Sequence, residues 1–354
     1  MKPYKVAVLG ATGMVGQRFV SLLSRHPWFR LKAVAASARS AGKCYGEVME
    51  GRWALSSPLP ETATDLPVFD ALADAERIAK AVDFVFCAVD LPKEETRALE
   101  ERYAKLQAPV ISNNSACRGL PDVPMLLPEC NGEHAAVIPQ QRRRLGTVRG
   151  FIAVKPNCSL QSYVPALHPL RDFGLRRVLV VTCQAISGAG KTFATWPEMV
   201  DNVIPLIPGE EEKSQNEPLK IWGKVCEAGI LPAAKPDITA QCLRVPVSDG
   251  HIATVFVDFD RKPTKEHILS CWRDFRGLEL PSAPLRPLRY FEEADRPQPR
   301  LDRDSEGGMQ VSIGRLREDS QYQWKFVALS HNTLRGAAGG AVLMAEFLAK
   351  EGWL

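Results

Sequence analysis

The chain has 354 residues, of which 45% are hydrophobic and 24% charged, with a net charge of +4. That length exceeds one typical core and predicts two domains, and the composition is that of an ordinary globular protein. The charge is too small to argue for nucleic acid, and no apolar run approaches the ~18–20 residues a membrane span needs. Met1-Lys2-Pro3-Tyr4 leads directly into a strand, so no signal peptide is expected. Nine cysteines are scattered without a single CxxC, which argues against a zinc site or a disulfide framework. Free thiols in that number fit a reducing compartment, the cytoplasm.

Lys5-Val6-Ala7-Val8-Leu9 reads as a strand. Gly10-Ala11-Thr12-Gly13-Met14-Val15-Gly16 follows, and Phe19, Val20, Leu22 and Leu23 put an apolar face on the next helix. A glycine loop between strand and helix lets the backbone approach a pyrophosphate whose charge meets the helix N-terminus. The spacing is GxxGxxG, a variant of the dinucleotide fingerprint. The second strand, residues 31–36, is followed by Ser37-Ala38-Arg39-Ser40-Ala41-Gly42-Lys43, with no carboxylate for ribose hydroxyls. Hydroxyls, an arginine and a lysine suit a 2′-phosphate, so NADP is expected over NAD. Residues 83–89 and 109–112 read as further strands, with a helix between them starting near Pro92. Arg118 then leaves the carboxyl edge of the sheet, where ligands bind.

Phe151-Ile152-Ala153-Val154 leads through Lys155-Pro156-Asn157 to Cys158 and a helix over residues 160–170. A thiol at a helix start meets free N–H groups and the positive end of the dipole, which favour the nucleophilic thiolate. Residues 178–182 form a strand ending in Gln184 and the small residues Ser187-Gly188-Ala189-Gly190. In the segment from Gly209 to Lys220, Glu210 and Lys213 are three apart, as are Glu217 and Lys220, so each pair shares a helix face. Arg244 sits in an alternating strand over residues 241–247, and Gly250-His251 precede another strand. His251 is the natural acid/base partner for a cysteine, with a reference pKa near ~6.5. His26, His134 and His267 read as surface residues and His168 as a helix residue; His331 is the only competitor. Ser330-His331-Asn332-Thr333 starts a closing helix over residues 334–350, whose small residues 336–340 predict close packing.

Taken in order, these segments resemble the aspartate-semialdehyde dehydrogenase family, its archaeal and fungal branch most of all. The resemblance runs from the glycine loop to the last helix, and its most specific pieces are Ser-Asn-Asn-Ser-Ala-Cys-Arg ending at Arg118, Pro156-Asn157-Cys158-Ser159, residues 184–190, Gly-Glu-Glu-Glu-Lys ending at Lys213, Arg244 with Gly250-His251, residues 296–300 and Ser330-His331-Asn332-Thr333. It implies NADPH-dependent reduction of L-aspartyl 4-phosphate to L-aspartate 4-semialdehyde, with release of phosphate, on the way to threonine, methionine and lysine. It implies Cys158 as the thioester nucleophile, His251 as acid/base and Gln184 as the group orienting the acyl carbon. Asn157, Arg244 and Glu210 would hold the amino-acid end, and Arg118 and Lys213 the phosphate. Gly10, Thr12, Gly13, Met14, Val15, Gly16, Ser37, Arg39, Ser40, Ser187, Gly188 and Asn332 would take the cofactor. No metal is implied. Alternatives are a malonyl-CoA reductase, which shares cysteine, histidine and NADPH, and a non-catalytic NADPH sensor. The expected architecture is a Rossmann-like doubly wound domain, residues 1–156 completed by residues 331–354. An α/β catalytic domain with a mixed sheet, residues 157–330, would assemble a homodimer or homotetramer. The partners are then small molecules, with no nucleic acid and no membrane.

Overall fold

The computed structural model describes residues 3–354; Met1 and Lys2, with which the expected first strand is approached, lie outside the described residues. Six strands form the first sheet: β1 (Tyr4–Leu9), β2 (Phe29–Ala36), β3 (Val68–Asp70), β4 (Phe84–Cys87), β5 (Val110–Ser112) and β6 (Ile152–Val154). All pairings are parallel, in the order β3-β2-β1-β4-β5-β6. This is the doubly wound dinucleotide-binding order. Helices on both faces bury it, which is why Val6–Leu9 and Phe84–Cys87 are continuous apolar runs rather than alternating ones. Helix α1 (Met14–Leu23) turns Phe19, Val20 and Leu23 onto one face, and α2 (Lys93–Lys105) packs Leu99, Tyr103 and Ala104 onto the other.

Helix α3 (Leu160–Leu167) leads from β6 into the second half of the chain. There, β7 (Leu175–Gln184), β10 (Asp237–Arg244), β11 (His251–Phe259), β12 (Leu288–Phe291), β13 (Val311–Glu318) and β14 (Trp324–Ser330) build a mixed sheet in the order β10-β7-β11-β14-β13-β12. A small hairpin of β8 (Lys224–Cys226) and β9 (Gly229–Leu231) stands apart. Helices α3 and α5 (Lys265–Asp274) cover one face, locked together by the Trp272 indole N–H donating to the Ala166 carbonyl at 2.7 Å. Helix α4 (Glu210–Ile221) flanks the β10 edge. The opposite face carries Leu179, Val181, Ile252, Phe256 and Val327, each half-buried.

Several local expectations are corrected. The closing helix is not continuous: residues Leu334–Ala338 form a wide turn broken at Ala337 (φ −143°, ψ −107°), and α6 (Gly339–Lys350) follows. Helix α6 returns to the first sheet, where Ala341, Val342, Met344, Ala345 and Leu348 join its core. The helix after Cys158 ends at Leu167, and a tighter 3₁₀ segment continues to Phe173. His134 and His26 are not surface residues. His134 is 1% exposed and bonded to Asn131 and the Gly223 carbonyl, and His26 contacts Glu346 at 2.7 Å. Their polar neighbours in sequence hid partners that are distant in the chain.

Candidate active site

The C-terminal ends of β5 and β6, the start of α3, the N-terminal half of α4 and the ends of β7, β10 and β11 converge at the junction of the two sheets. Cys158 stands there, between β6 and α3. Asn157 shapes the turn: its Oδ1 accepts the Ser159 N–H at 2.8 Å and the Ser159 hydroxyl at 2.8 Å, an Asx turn that leads into the helix. The Cys158 Sγ lies 3.4 Å from His251 Nε2. A cavity of about 160 Å³ opens onto the sulfur, lined among others by Lys155, Arg118, Asn157, Glu210, Ser187 and Asn332.

Glu210 ties the site together. Its Oε1 accepts from Asn157 Nδ2 at 2.9 Å and from Lys213 Nζ at 2.9 Å, and its Oε2 accepts from Gln184 Nε2 at 3.1 Å. Burial works against its charge, but Lys213 and these hydrogen bonds outweigh it and hold the carboxyl below its usual range. Of the three consecutive glutamates, Glu210 alone lines the cavity; Glu211 turns to Gln241 and Glu212 is exposed. One helix-face repeat further, Glu217 accepts from Arg118 Nη1 at 3.0 Å and from the Asn157 backbone N–H at 2.7 Å. The expected Glu217–Lys220 pair does not form. Lys220 instead donates to the carbonyls of Arg118, Leu120 and Val123 at 2.6, 2.6 and 2.9 Å, fixing the Arg118 loop.

The electrostatics correct two expectations. Burial, then the Glu210 charge, push the Cys158 thiol up, and Lys155, Arg118 and Arg244 only partly oppose them. The helix start is therefore not sufficient to make a resting thiolate. Burial, reinforced by Arg244, pushes the His251 imidazole down to about 3, far from its reference range. The ring is thus neutral at pH 7. Its Nδ1 accepts the Ala185 N–H at 3.0 Å, so its own proton sits on Nε2, facing the sulfur. Burial also brings the Lys155 ammonium down to about 7.

A second cleft, of about 420 Å³, runs along the carboxyl edge of the first sheet, lined by Gly10, Thr12, Gly13, Ser37, Arg39 and Arg52 among others. Glycine is required beneath it: a Cβ on Gly16 would stand 2.1 Å from the Gly10 carbonyl oxygen. Asp70 reaches this cleft from β3, but its Oδ1 is already occupied by the N–H groups of Leu72 and Ala73, each at 2.8 Å. Beyond β2 the wall presents the Ser37 hydroxyl and the Arg39 guanidinium, which fit a dinucleotide with an added phosphate, and Asp70 and Asp90 also line the cleft. Met14 opens α1 and Gly16 lies under the loop; Val15 lines the Cys158 cavity. Ser40 is buried and does not line the cleft. Ser187, Gly188 and Asn332 line the Cys158 cavity, with Asn332 Nδ2 donating to the Ser187 hydroxyl at 2.8 Å. Gln184, Lys213 and Arg244 are not in its wall; Gln184 and Lys213 support Glu210, and Arg244 donates to the Ala185 carbonyl at 2.7 Å. His331 is buried behind Asp304 and does not reach the sulfur's cavity.

Two family profiles match: "Semialdehyde dehydrogenase, NAD binding domain" over residues 5–138, and "Semialdehyde dehydrogenase, dimerisation domain" over residues 167–335. The aspartate-semialdehyde dehydrogenase of Archaeoglobus fulgidus is 44% identical over 98% of this chain and 98% of its own. The chain belongs to the aspartate-semialdehyde dehydrogenase family. The enzyme of Methanothermobacter thermautotrophicus is 43% identical over 97% of this chain and 98% of its own. The crystal structure of aspartate semialdehyde dehydrogenase with NADP from Candida albicans superimposes with a TM-score of 0.89, at 37% identity and full coverage of both chains. The sequence alone did not mark Lys155, Glu217 and Arg52 as lining or supporting residues. Glu217 carried a usable signal, being seven residues from Glu210 and so on the same helix face. Lys155 and Arg52 carried none, since a basic residue after a strand or short helix is commonly solvated. Gly336 was legible only as part of a small-residue run; a Cβ there would stand 3.0 Å from the Cys158 Cβ, so the run packs against the sulfur's own residue.

Proposed function

We propose that this chain carries out the NADPH-dependent reduction of L-aspartyl 4-phosphate through a thioester on Cys158. The observation that carries the mechanism is the 3.4 Å approach of Cys158 Sγ to His251 Nε2, beside a cavity that Cys158 shares with Arg118 and Glu210. The Cys158 sulfur gives up its thiol proton and attacks the acyl carbon, the bond to the phosphate oxygen breaks and the departing phosphate carries that proton away. NADPH, when bound, supplies the hydride that reduces the thioester carbonyl. The His251 Nε2–H hydrogen-bonds to the oxyanion that develops on that carbonyl oxygen, and the oxyanion collapses as the C–S bond breaks, returning the thiolate and releasing the semialdehyde. Glu210 meets the substrate ammonium, and Asn157 and Arg244 secure the amino-acid end. Arg118 and Lys213 meet the phosphate, a charge that cations on two different elements can bracket. Gln184 and Glu210 brace one another, which orients the acyl group.

The Gly10–Gly16 loop with Ser37 and Arg39 takes the adenosine and phosphate end of the cofactor, Arg52 assisting, while the buried Ser40 stands outside the cleft. Ser187, Gly188 and Asn332 take the nicotinamide end. Residues 1–156 with 331–354 form the cofactor domain, and residues 157–330 the catalytic and assembly domain. The half-exposed apolar face with Leu179, Val181, Ile252, Phe256 and Val327 supports assembly of a homodimer or a dimer of dimers across the mixed sheet. No described helix is long and apolar enough to cross a membrane, and the nine cysteines are free, which supports a reducing cytoplasm. The test runs the reaction in reverse: NADPH absorbance with L-aspartate semialdehyde and NADP, with and without phosphate. Phosphate-dependent NADPH formation that disappears in Cys158→Ala is expected. Formation that survives in Cys158→Ala excludes the thioester route.

A further inference from the structure

Lys155 immediately precedes the Pro156-Asn157-Cys158 turn and is 2% exposed, yet it lines the cavity that opens onto Cys158. Its Nζ donates to the Pro156 carbonyl, and among the described residues it has no carboxylate within ion-pair distance. The acids around it are all matched elsewhere. Glu210 is paired with Lys213 at 2.9 Å, and Glu217 with Arg118 at 3.0 Å. On the far side, where Lys155 also lines a small cavity, Glu129 is paired with Arg335 at 3.0 Å. Arg244 and His251 face the site from β10 and β11 and carry no negative charge. A buried ammonium without a counter-ion is expensive, so such a group is retained where a negative charge will stand.

Cys158 is the matching gap. His251 cannot supply the positive charge in the resting site, because its Nδ1 is held as an acceptor by the Ala185 N–H. Protonating that nitrogen would set two N–H groups against each other. Arg118 is engaged by Glu217 and by the Asn113 carbonyl at 3.1 Å, and Arg244 by the Ala185 carbonyl. We propose that the Lys155 ammonium is the counter-charge of the Cys158 thiolate, so that the sulfur ionises as half of a Cys158–Lys155 pair rather than of a Cys158–His251 pair. Lys155 acts here through the sulfur and positions charge; it forms no bond to substrate. Of the cations around the thiol, its field is the one that favours thiolate most, and the thiolate in turn favours the ammonium. The two groups then titrate as one coupled unit.

The inference rests on Cys158 as the nucleophile, but its test does not need turnover. Iodoacetamide alkylation of Cys158 in the full-length chain is followed by peptide mass spectrometry across pH 5.5 to 10, for the wild type, Lys155→Met and Lys155→Arg. Lys155→Met is expected to move the profile up by at least one pH unit and to slow labelling at pH 7 about tenfold or more. Lys155→Arg, whose charge does not titrate in this range, is expected to keep labelling at pH 7 and to convert a shallow coupled curve into a single ionisation. NADPH affinity and thermal unfolding report folding separately. If Lys155→Met does not fold, Lys155→Arg decides alone. A Lys155→Arg profile that superimposes on the wild type, or a folded Lys155→Met that labels as fast as the wild type at pH 7, overturns the proposal. Loss of the nucleophile reading would appear instead as turnover in Cys158→Ala, with the labelling profiles unaffected.

Discussion

Replacing Glu210 with Gln removes one negative charge from the wall of the Cys158 cavity while keeping the side chain's shape. Two side chains lining one small cavity, as Glu210 and Cys158 do, stand on the order of 7 Å apart. At that distance and an effective dielectric constant near 20, one unit charge is worth about 2 kcal/mol, or roughly 1.5 pH units on the thiol. Because Glu210 opposes thiolate formation, the change should lower the thiol's apparent pKa and raise the thiolate fraction below it by about 30-fold. Turnover should move the other way. The substrate ammonium loses its counter-charge, and the amide must turn an NH₂ toward one of the three donors that now bond to Glu210, loosening Asn157 or Gln184. The assay is iodoacetamide labelling of Cys158 against pH, run beside steady-state kinetics with aspartate semialdehyde. A labelling profile that stays in place or shifts to higher pH refutes the assignment of Glu210 as an ionised neighbour of the sulfur. Faster labelling with a kcat/KM reduced at least 100-fold is the expected pairing, and it separates thiol reactivity from catalysis.

Glu217→Ala should cost about 3–5 kcal/mol in urea unfolding, since it leaves the Arg118 guanidinium buried without its partner; a loss below about 1 kcal/mol would mean water replaces the carboxylate freely. Gly16→Ala should weaken NADPH binding at least tenfold in a fluorescence titration, because the new Cβ meets backbone at 2.1 Å and 2.6 Å and only the loop itself can give way; unchanged affinity would show the loop tolerates displacement. The buried histidines predict acid lability. His251 is lowered to about 3, and His168 and His331 to about 4, so between the unfolded value near 6.5 and those values the unfolded chain binds more protons. The stability they contribute is therefore present above pH 6.5 and lost as pH falls toward 4, by about 2 kcal/mol per histidine at pH 5. Urea midpoints at pH 7 and pH 5 measure it, and equal midpoints would contradict neutral burial of these rings.

Local pattern was enough for five of the six strands of the first sheet, the short edge strand β3 escaping it, and for the cysteine and its histidine. Apolar runs such as Val6–Leu9 and Phe84–Cys87 report a strand buried on both faces, and the glycine loop before α1 reports a phosphate approach, because both signals arise from neighbours in the chain. Cys158 and His251 could be singled out for the same reason, each sitting beside a recognisable strand or helix start, whereas the roles of Glu210, Arg118 and Gln184 came from the resemblance to the family. What the residues do to one another was decided only when strands β5, β6, β7, β10 and β11 and helix α4 met. Residues 53 and 93 positions apart became hydrogen-bond partners of Asn157 and Cys158, respectively. The thiol that a helix start alone would acidify is held up by burial and Glu210, and the imidazole that its type alone would set near neutrality is held far below it. Lys155, which the sequence presents as one more basic residue after a strand, lost its water and its choice of counter-ions to the packing around it. Protonation is a property of the solvent and charges within a few ångströms, and a linear chain states the identity of those groups but not which of them will be neighbours.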